Sequence, residues 1–411
     1  MNEGFEMKEK FADMLDYLQW RGDLSFDESP FCAVDALVLC QLSYIHLDGL
    51  VAPSFEAGKT LAALYKDFTD DSNYIARCDM GAVINPKTID LFTDAAKTKR
   101  FGEITICGYQ TILSEEKVEQ FAAMVFIVDR KNAVVVFRGT DDTFIGWHED
   151  FNLAYLDNIP SQLSGVEYLN LVEKAFGGKI SVAGHSKGGN VAVYSSVYCN
   201  KAMRKKISDI YNFDGPGFGG DFFIKREYRE QEVKLHSFYP QFSVVGMTFY
   251  HPKEFKIVDS SGQNVFQHDA FSWNIKGRSF VFREQFTEES KFFYVAFNDW
   301  IDDMTKEDLE KFTKVFFNIA YASGAKTNSE LEKNKRQASK KMLTEITKLD
   351  SESKKHVVKI VHMLLTVGRE NIPLFNIFQG KGILQDELKK IEDVFVKIGK
   401  KEEEIEDERD D

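Results

Sequence analysis

The sequence predicts an α/β protein, a mostly parallel sheet flanked by helices with helical additions at both ends, and three observations carry that reading. The spacing of apolar residues changes from three-and-four to two near residue 100 and back again near residue 286. Between those points strand-like runs alternate with helical patterns, the order that builds a parallel sheet. One strand-to-helix joint carries Gly184-His185-Ser186-Lys187-Gly188.

The elements follow in order. Residues 3–20, 31–46, 54–67 and 87–98 have helical spacing, with Pro53 and Pro86 just ahead of the last two. Residues 102–110, 120–128 and 133–137 read as strands; the last is a continuous Ala-Val-Val-Val-Phe run suited to a strand covered on both faces, and 129–132 is the tight turn before it. A helix at 162–176, a strand at 179–183, the helix after Ser186 and strands at 208–213 and 232–239 continue the alternation. Helices are expected again at 287–303, at 305–322 with Thr305 as N-cap and Gly324 past the end, and at 328–348, 352–367 and 381–399. The expected organisation is a helical region over 1–100 packed on the core, a core over 101–285, a helical subdomain over 286–400 and an acidic tail over 401–411. The last helices read as a subdomain packed on the core, ahead of a dedicated membrane or partner surface.

Gly184 to Gly188 sits where a nucleophile elbow needs it. A serine hydroxyl attacks a carbonyl only when a sharp turn holds it exposed, and the strained serine backbone leaves room for little beyond glycine two residues either side. Ile180, Val182 and Ala183 precede the motif and the helix-compatible Asn190 to Tyr194 follow it. That context favours an elbow over an ordinary glycine turn.

Composition narrows the partners. At 411 residues and 43% hydrophobic content the chain supports a sizeable core, while a net charge of -13 argues against nucleic acid, whose phosphates need a basic face. Residues 401–411 hold eight acidic and two basic side chains, a solubilising tail in the plain reading and a docking segment in the other. The N-terminus has acidic residues where a secretion signal has basic ones, so a cytoplasmic protein is expected. The stretch 357–367 is too short and too interrupted by Lys359 and His362 to cross a bilayer, so no integral membrane segment is expected and peripheral contact is left open, as is the oligomeric state. Five scattered cysteines without a Cys-x-x-Cys pair argue against a disulfide framework and against a zinc site. Asp141-Asp142 lacks companion ligands, and no metal or organic cofactor is expected.

Phe137-Arg138-Gly139-Thr140 followed by Trp147 and Asp150, then Gly184-His185-Ser186-x-Gly188-Gly189, resembles the class 3 lipase family of α/β hydrolases. With Asp214-Gly215-Pro216-Gly217 and Gln267-His268-Asp269, the stretch 100–285 also resembles a bacterial family related to those lipases. The resemblance implies an α/β-hydrolase fold and an oxyanion hole made by Thr140, through its N–H and hydroxyl, with the N–H of Lys187. The alternative for 137–140 is a strand end with a turn. The Lys187 ammonium, where those lipases have an apolar residue, would attract an anionic substrate or be solvated.

The order of groups in this fold is serine, acid, histidine, which makes His268 the candidate base and His251 the reserve. The acid departs from the lipase pattern: Ser243 stands where their Asp would be. Asp214, at the end of the preceding strand, is the substitute, with Asp269, Asp259 or no acid as alternatives and a turn-forming Asp as its plain reading. Asp150 is expected to hydrogen-bond the loop carrying Thr140. Phe222, Phe223 and Tyr228 would line an acyl pocket or pack in the core. The expected activity is cleavage of a carboxylic ester, an acyl lipid or smaller acyl ester, by Ser186, His268 and Asp214; the rival is a noncatalytic interaction protein that keeps the fold.

Overall fold

The computed structural model describes residues 12–350 together with 353–354. Apart from residues 353–354, the helices expected at 352–367 and 381–399 and the tail at 401–411 lie outside the described residues, as do residues 3–11 of the helix expected over 3–20. Among the described residues eleven strands form: β1 Lys59–Thr60, β2 Thr105–Ser114, β3 Glu119–Ile127, β4 Asn132–Phe137, β5 Lys179–His185, β6 Ile207–Phe213, β7 Leu235–Pro240, β8 Lys256–Val258, β9 Ile275–Lys276, β10 Ser279–Phe280 and β11 Phe282–Arg283. Nine make one sheet in the order β1-β2-β3-β4-β5-β6-β7-β8-β11, and β9 with β10 makes a separate hairpin. β4 to β8 are parallel, while the flanking pairs β1/β2, β2/β3, β3/β4 and β8/β11 are antiparallel.

Because side chains alternate across a strand, β4 feeds two cores. Val134 and Val136 face the N-terminal helices in a cluster with Leu37, Phe92, Ala183 and Phe213. Val135 and Phe137 face the helices Pro160–Ala175 and Lys187–Tyr198 in a cluster with Tyr168, Val182 and Val191. A third cluster joins the helices Glu288–Asp302, Lys306–Ala322 and Lys335–Lys348 to Phe144, Phe242 and Val244.

Most elements stand where the periodicity places them, including the N-cap at Thr305, whose hydroxyl accepts from Asp308 N–H. The helix expected from 54 begins at Leu61, because Thr60 caps it and Lys59–Thr60 pairs with β2 instead. Residues 328–348 divide at Asn334 into two helices. The helix Phe144–Asn152, unforeseen in the sequence, starts at the Thr143 cap. Among the described residues no helix is long and apolar enough to cross a membrane, and no group of three or more His, Cys, Asp or Glu side chains is placed to hold a metal ion.

A buried ion pair fastens the N-terminal helices. Arg100 donates to both carboxylate oxygens of Asp35, at 2.7 and 2.6 Å, with both side chains fully buried. The remaining guanidinium donors reach the carbonyls of Leu24, Ser29 and Pro30, and Tyr17 hydroxyl and Cys32 N–H also donate to Asp35. Removing one partner strands the other charge in the core. Arg100→Leu is expected to lower the unfolding free energy by about 3–5 kcal/mol, read as a fall in the urea midpoint at constant slope.

Candidate active site

The carboxyl ends of four neighbouring parallel strands meet here: β4 runs into Thr140, β5 ends before Ser186, β6 before Asp214, and β7 leads to Ser243. Ser186 has φ 59° and ψ -135°, a left-handed backbone that an ordinary strand-to-helix turn does not need. The glycines are sterically required. A Cβ at Gly184 would lie 2.0 Å from the Gly188 carbonyl oxygen, and one at Gly188 would lie 2.1 Å from that of Phe137. Ser186 is partly exposed, and its N–H is anchored to Phe213 O at 2.9 Å. The geometry is the sharp strand-to-helix turn that an elbow requires, with the twelve-residue helix Lys187–Tyr198 starting immediately after the serine.

His268 closes a short turn, Asn264–His268, and its side chain is 23% exposed. Its Nδ1–H donates to Asp214 Oδ2 at 2.6 Å, which turns Nε2 away from the acid. Asp214 is fully buried, with φ 51° at the end of β6 and its N–H bound to Phe238 O. Asn190 on the elbow helix secures the turn after it by donating to Pro216 O and Gly217 O, both at 3.0 Å. No hydrogen bond joins Ser186 Oγ to His268 among the described residues.

His185 lies against His268, the two ring centroids 4.7 Å apart. Its Nε2 meets the His268 carbonyl at 2.9 Å, so that nitrogen carries the proton, and bare Nδ1 accepts from Tyr44 hydroxyl at 3.4 Å. Burial, aided by the nearby His268 charge, pushes the His185 pKa down to about 3. The unfolded chain therefore binds a proton below pH 6.5 that the folded chain refuses, and stability rises with pH across the window from about 3 to 6.5. Acidification from pH 7 to 5 is expected to cost about 2 kcal/mol through this group alone. Urea midpoints at the two pH values should show a smaller difference in His185→Gln.

Thr140 and Lys187 each present a backbone N–H that makes no hydrogen bond among the described residues. The Thr140 hydroxyl donates to Asp150 Oδ2 at 2.5 Å, as expected of Asp150, so only the N–H of Thr140 remains free for an oxyanion. Asp150 Oδ1 has no hydrogen-bond partner among the described residues, and burial pushes the Asp150 pKa up to about 6 against the pull of Lys187 and of the Thr140 hydrogen bond.

Residues 95–318 match the model of the Mbeg1-like family. The chain belongs to the Mbeg1-like family. The matched span of this Mbeg1-like protein contains Thr140, Ser186, Lys187, Asp214 and His268. A fungal lipase, known from a lipase–inhibitor complex described as a model for interfacial activation, is 14% identical over 57% of this chain and 79% of its own, with a TM-score of 0.34. The crystal structure of M37 lipase is 13% identical over 66% of this chain and 80% of its own, also at 0.34. Likenesses this distant say nothing of activity. No curated protein matches the chain.

In the Mbeg1-like protein the Lys187 ammonium neither faces solvent nor reaches toward a ligand, which corrects the expectation for it. It is buried and donates to Gln120 O, Gln120 Oε1 and Glu149 Oε2, each at 2.8 Å. Glu149 in turn accepts from the N–H groups of Gln120 and Ser161. The alternative acids are engaged elsewhere: Asp259 with Arg283 and Asn274, Asp269 with Asn85 and Phe271 N–H. The reserve candidate His251 is half-buried between Tyr239 and Tyr294, and the desolvation of its ring pushes its pKa down to about 4. Phe222 and Tyr228 are buried against the elbow-helix core, Phe218 stacks on Phe222 and Phe223 meets both rings edge-on, so packing accounts for that insertion. Glu149, Gln120, Asn190 and Tyr44 were not singled out in the sequence. Their partners lie tens of residues away and leave no local pattern.

Proposed function

We propose that this protein is a lipase-like serine hydrolase that cleaves a carboxylic ester, an acyl lipid or a smaller acyl ester. The observation that carries the reading is the buried Asp214 carboxylate bonded to His268 Nδ1 beside a serine held on a strained elbow. Ser186 Oγ attacks the carbonyl carbon while His268 Nε2 takes its proton. Asp214 holds the imidazole tautomer and stabilises the imidazolium. The charge that develops on the carbonyl oxygen falls to the N–H groups of Lys187 and Thr140, each such donor being worth roughly 3 to 4 kcal/mol in the transition state.

His268 then gives its proton to the leaving alkoxide, the acyl group stays on Ser186, and water attacks by the same route in reverse. Attack requires Ser186 Oγ and His268 Nε2 to come within hydrogen-bond distance, a closure common when a free site binds substrate. The test is hydrolysis of p-nitrophenyl esters from acetate to palmitate. Turnover that falls off with chain length at one end of the series supports the reading and places the acyl preference. No turnover by folded protein anywhere in the series would favour a noncatalytic interaction protein.

A further inference from the structure

The segment 241–246, which follows β7, wraps the acid from the side away from His268. Ser243 hydroxyl donates to Asp214 Oδ1 at 2.5 Å, while Oδ2 of the same carboxylate receives His268 Nδ1–H. Both residues are fully buried. Gly246 closes the wrap: a Cβ there would sit 2.2 Å from Asp214 Oδ1 and 2.7 Å from Ser243 Oγ. The two carboxylate oxygens thus have two different donors, and rotation of the carboxylate would break both bonds.

Ser243 is itself held from the C-terminal helices. Its N–H donates to Ser290 Oγ and its carbonyl accepts from the Ser290 hydroxyl, both at 3.2 Å, with Ser290 in the first turn of the helix Glu288–Asp302. Thr287 N–H donates to Gln241 O at 2.8 Å, and Phe242 N–H donates to the side chain of Gln267, the residue before His268, at 2.9 Å. One segment therefore touches the acid, the neighbour of the base and the C-terminal helical unit.

We propose that Ser243 is the positioning residue of the acid–base pair: its hydroxyl fixes the Asp214 carboxylate so that Oδ2 faces His268 Nδ1, and Ser290 fixes Ser243. The proposal rests on the hydrolase reading for its kinetic consequence and on geometry alone for the rest. Without the Ser243 donor, the carboxylate loses one of its two anchors and the imidazole samples orientations unsuited to proton transfer.

The substrate-free test is the low-field proton NMR signal of His268 Nδ1–H, assigned by its absence in His268→Gln. Ser243→Ala is expected to shift or broaden that signal through faster exchange, and Ser290→Ala to move it in the same direction by less. With an ester substrate, Ser243→Ala should lower kcat per folded molecule about tenfold at nearly constant KM, the folded fraction being measured by circular dichroism because its loss alone would lower apparent kcat. A Ser243→Ala protein with the wild-type signal and a kcat within twofold of wild type overturns the proposal. Should Ser243→Ala not fold, an unmoved signal in Ser290→Ala overturns it. If wild type cleaves no ester, the hydrolase reading fails while the NMR comparison still decides the role of Ser243.

Discussion

Substituting Ser186 with Ala is expected to reduce kcat for ester hydrolysis by about 10⁶ while KM changes little, and His268→Ala should do the same. The two losses should not multiply, because the serine and histidine act as one unit and removing either ends the same step. Asp214→Asn, which keeps the shape and reverses one hydrogen-bond polarity at His268 Nδ1, should cost about 10⁴ in kcat. All three proteins should remain folded by circular dichroism. Ser186 makes no side-chain hydrogen bond among the described residues, and the Asp214 carboxylate keeps the Ser243 hydroxyl as a donor when His268 is removed. A fall in KM without a fall in kcat would contradict the assignment of these side chains to the chemical step.

The second large effect belongs to the ion pair under the elbow. Lys187→Met keeps the length of the side chain and leaves the Glu149 carboxylate buried without its cation, with only the Gln120 and Ser161 N–H groups facing it. Breaking a buried pair from one side costs about 3–5 kcal/mol, whereas replacing both partners with apolar groups of similar volume is often close to neutral. Lys187→Met should therefore lower the thermal midpoint by several degrees, and Lys187→Met with Glu149→Met should recover most of it. The pair also links the elbow helix to the helix Phe144–Asn152, whose Asp150 holds Thr140. The recovered double variant should still hydrolyse more slowly than wild type, because the spacing between the Lys187 and Thr140 N–H donors is no longer clamped. Equal stability of the single and double variants would contradict a functional pairing of the two charges.

What the sequence made legible was local. The Val134 to Phe137 run, the small residues around Ser186 and the helical spacings all encode contacts with near neighbours or with a general apolar face, so a strand, an elbow and helices could be read from them. Chain order singled out Asp214 and His268 as candidates. The structure sets them 2.6 Å apart although 54 positions separate them. The Lys187 side chain was misread because its partners, Gln120 and Glu149, come from a strand and a helix far back in the chain, and a lysine beside a nucleophile carries no sign of burial. Ser243 was noticed only as an acid that had gone missing. That its hydroxyl donates to Asp214 is a property of two adjacent strand ends, β6 and β7, and appears only once the sheet is assembled. The helix at 144–152 escaped because nine residues with a mixed face give a weak period, and its start depends on the Thr143 cap.

The most direct measurement is mass spectrometry of the protein after treatment with a fluorophosphonate probe, with the modified peptide sequenced. One adduct is expected, on Ser186, formed by wild type, strongly slowed in His268→Ala and absent in Ser186→Ala. Folded wild-type protein that stays unlabelled at Ser186, or labels equally fast without His268, would contradict an activated nucleophile at the elbow.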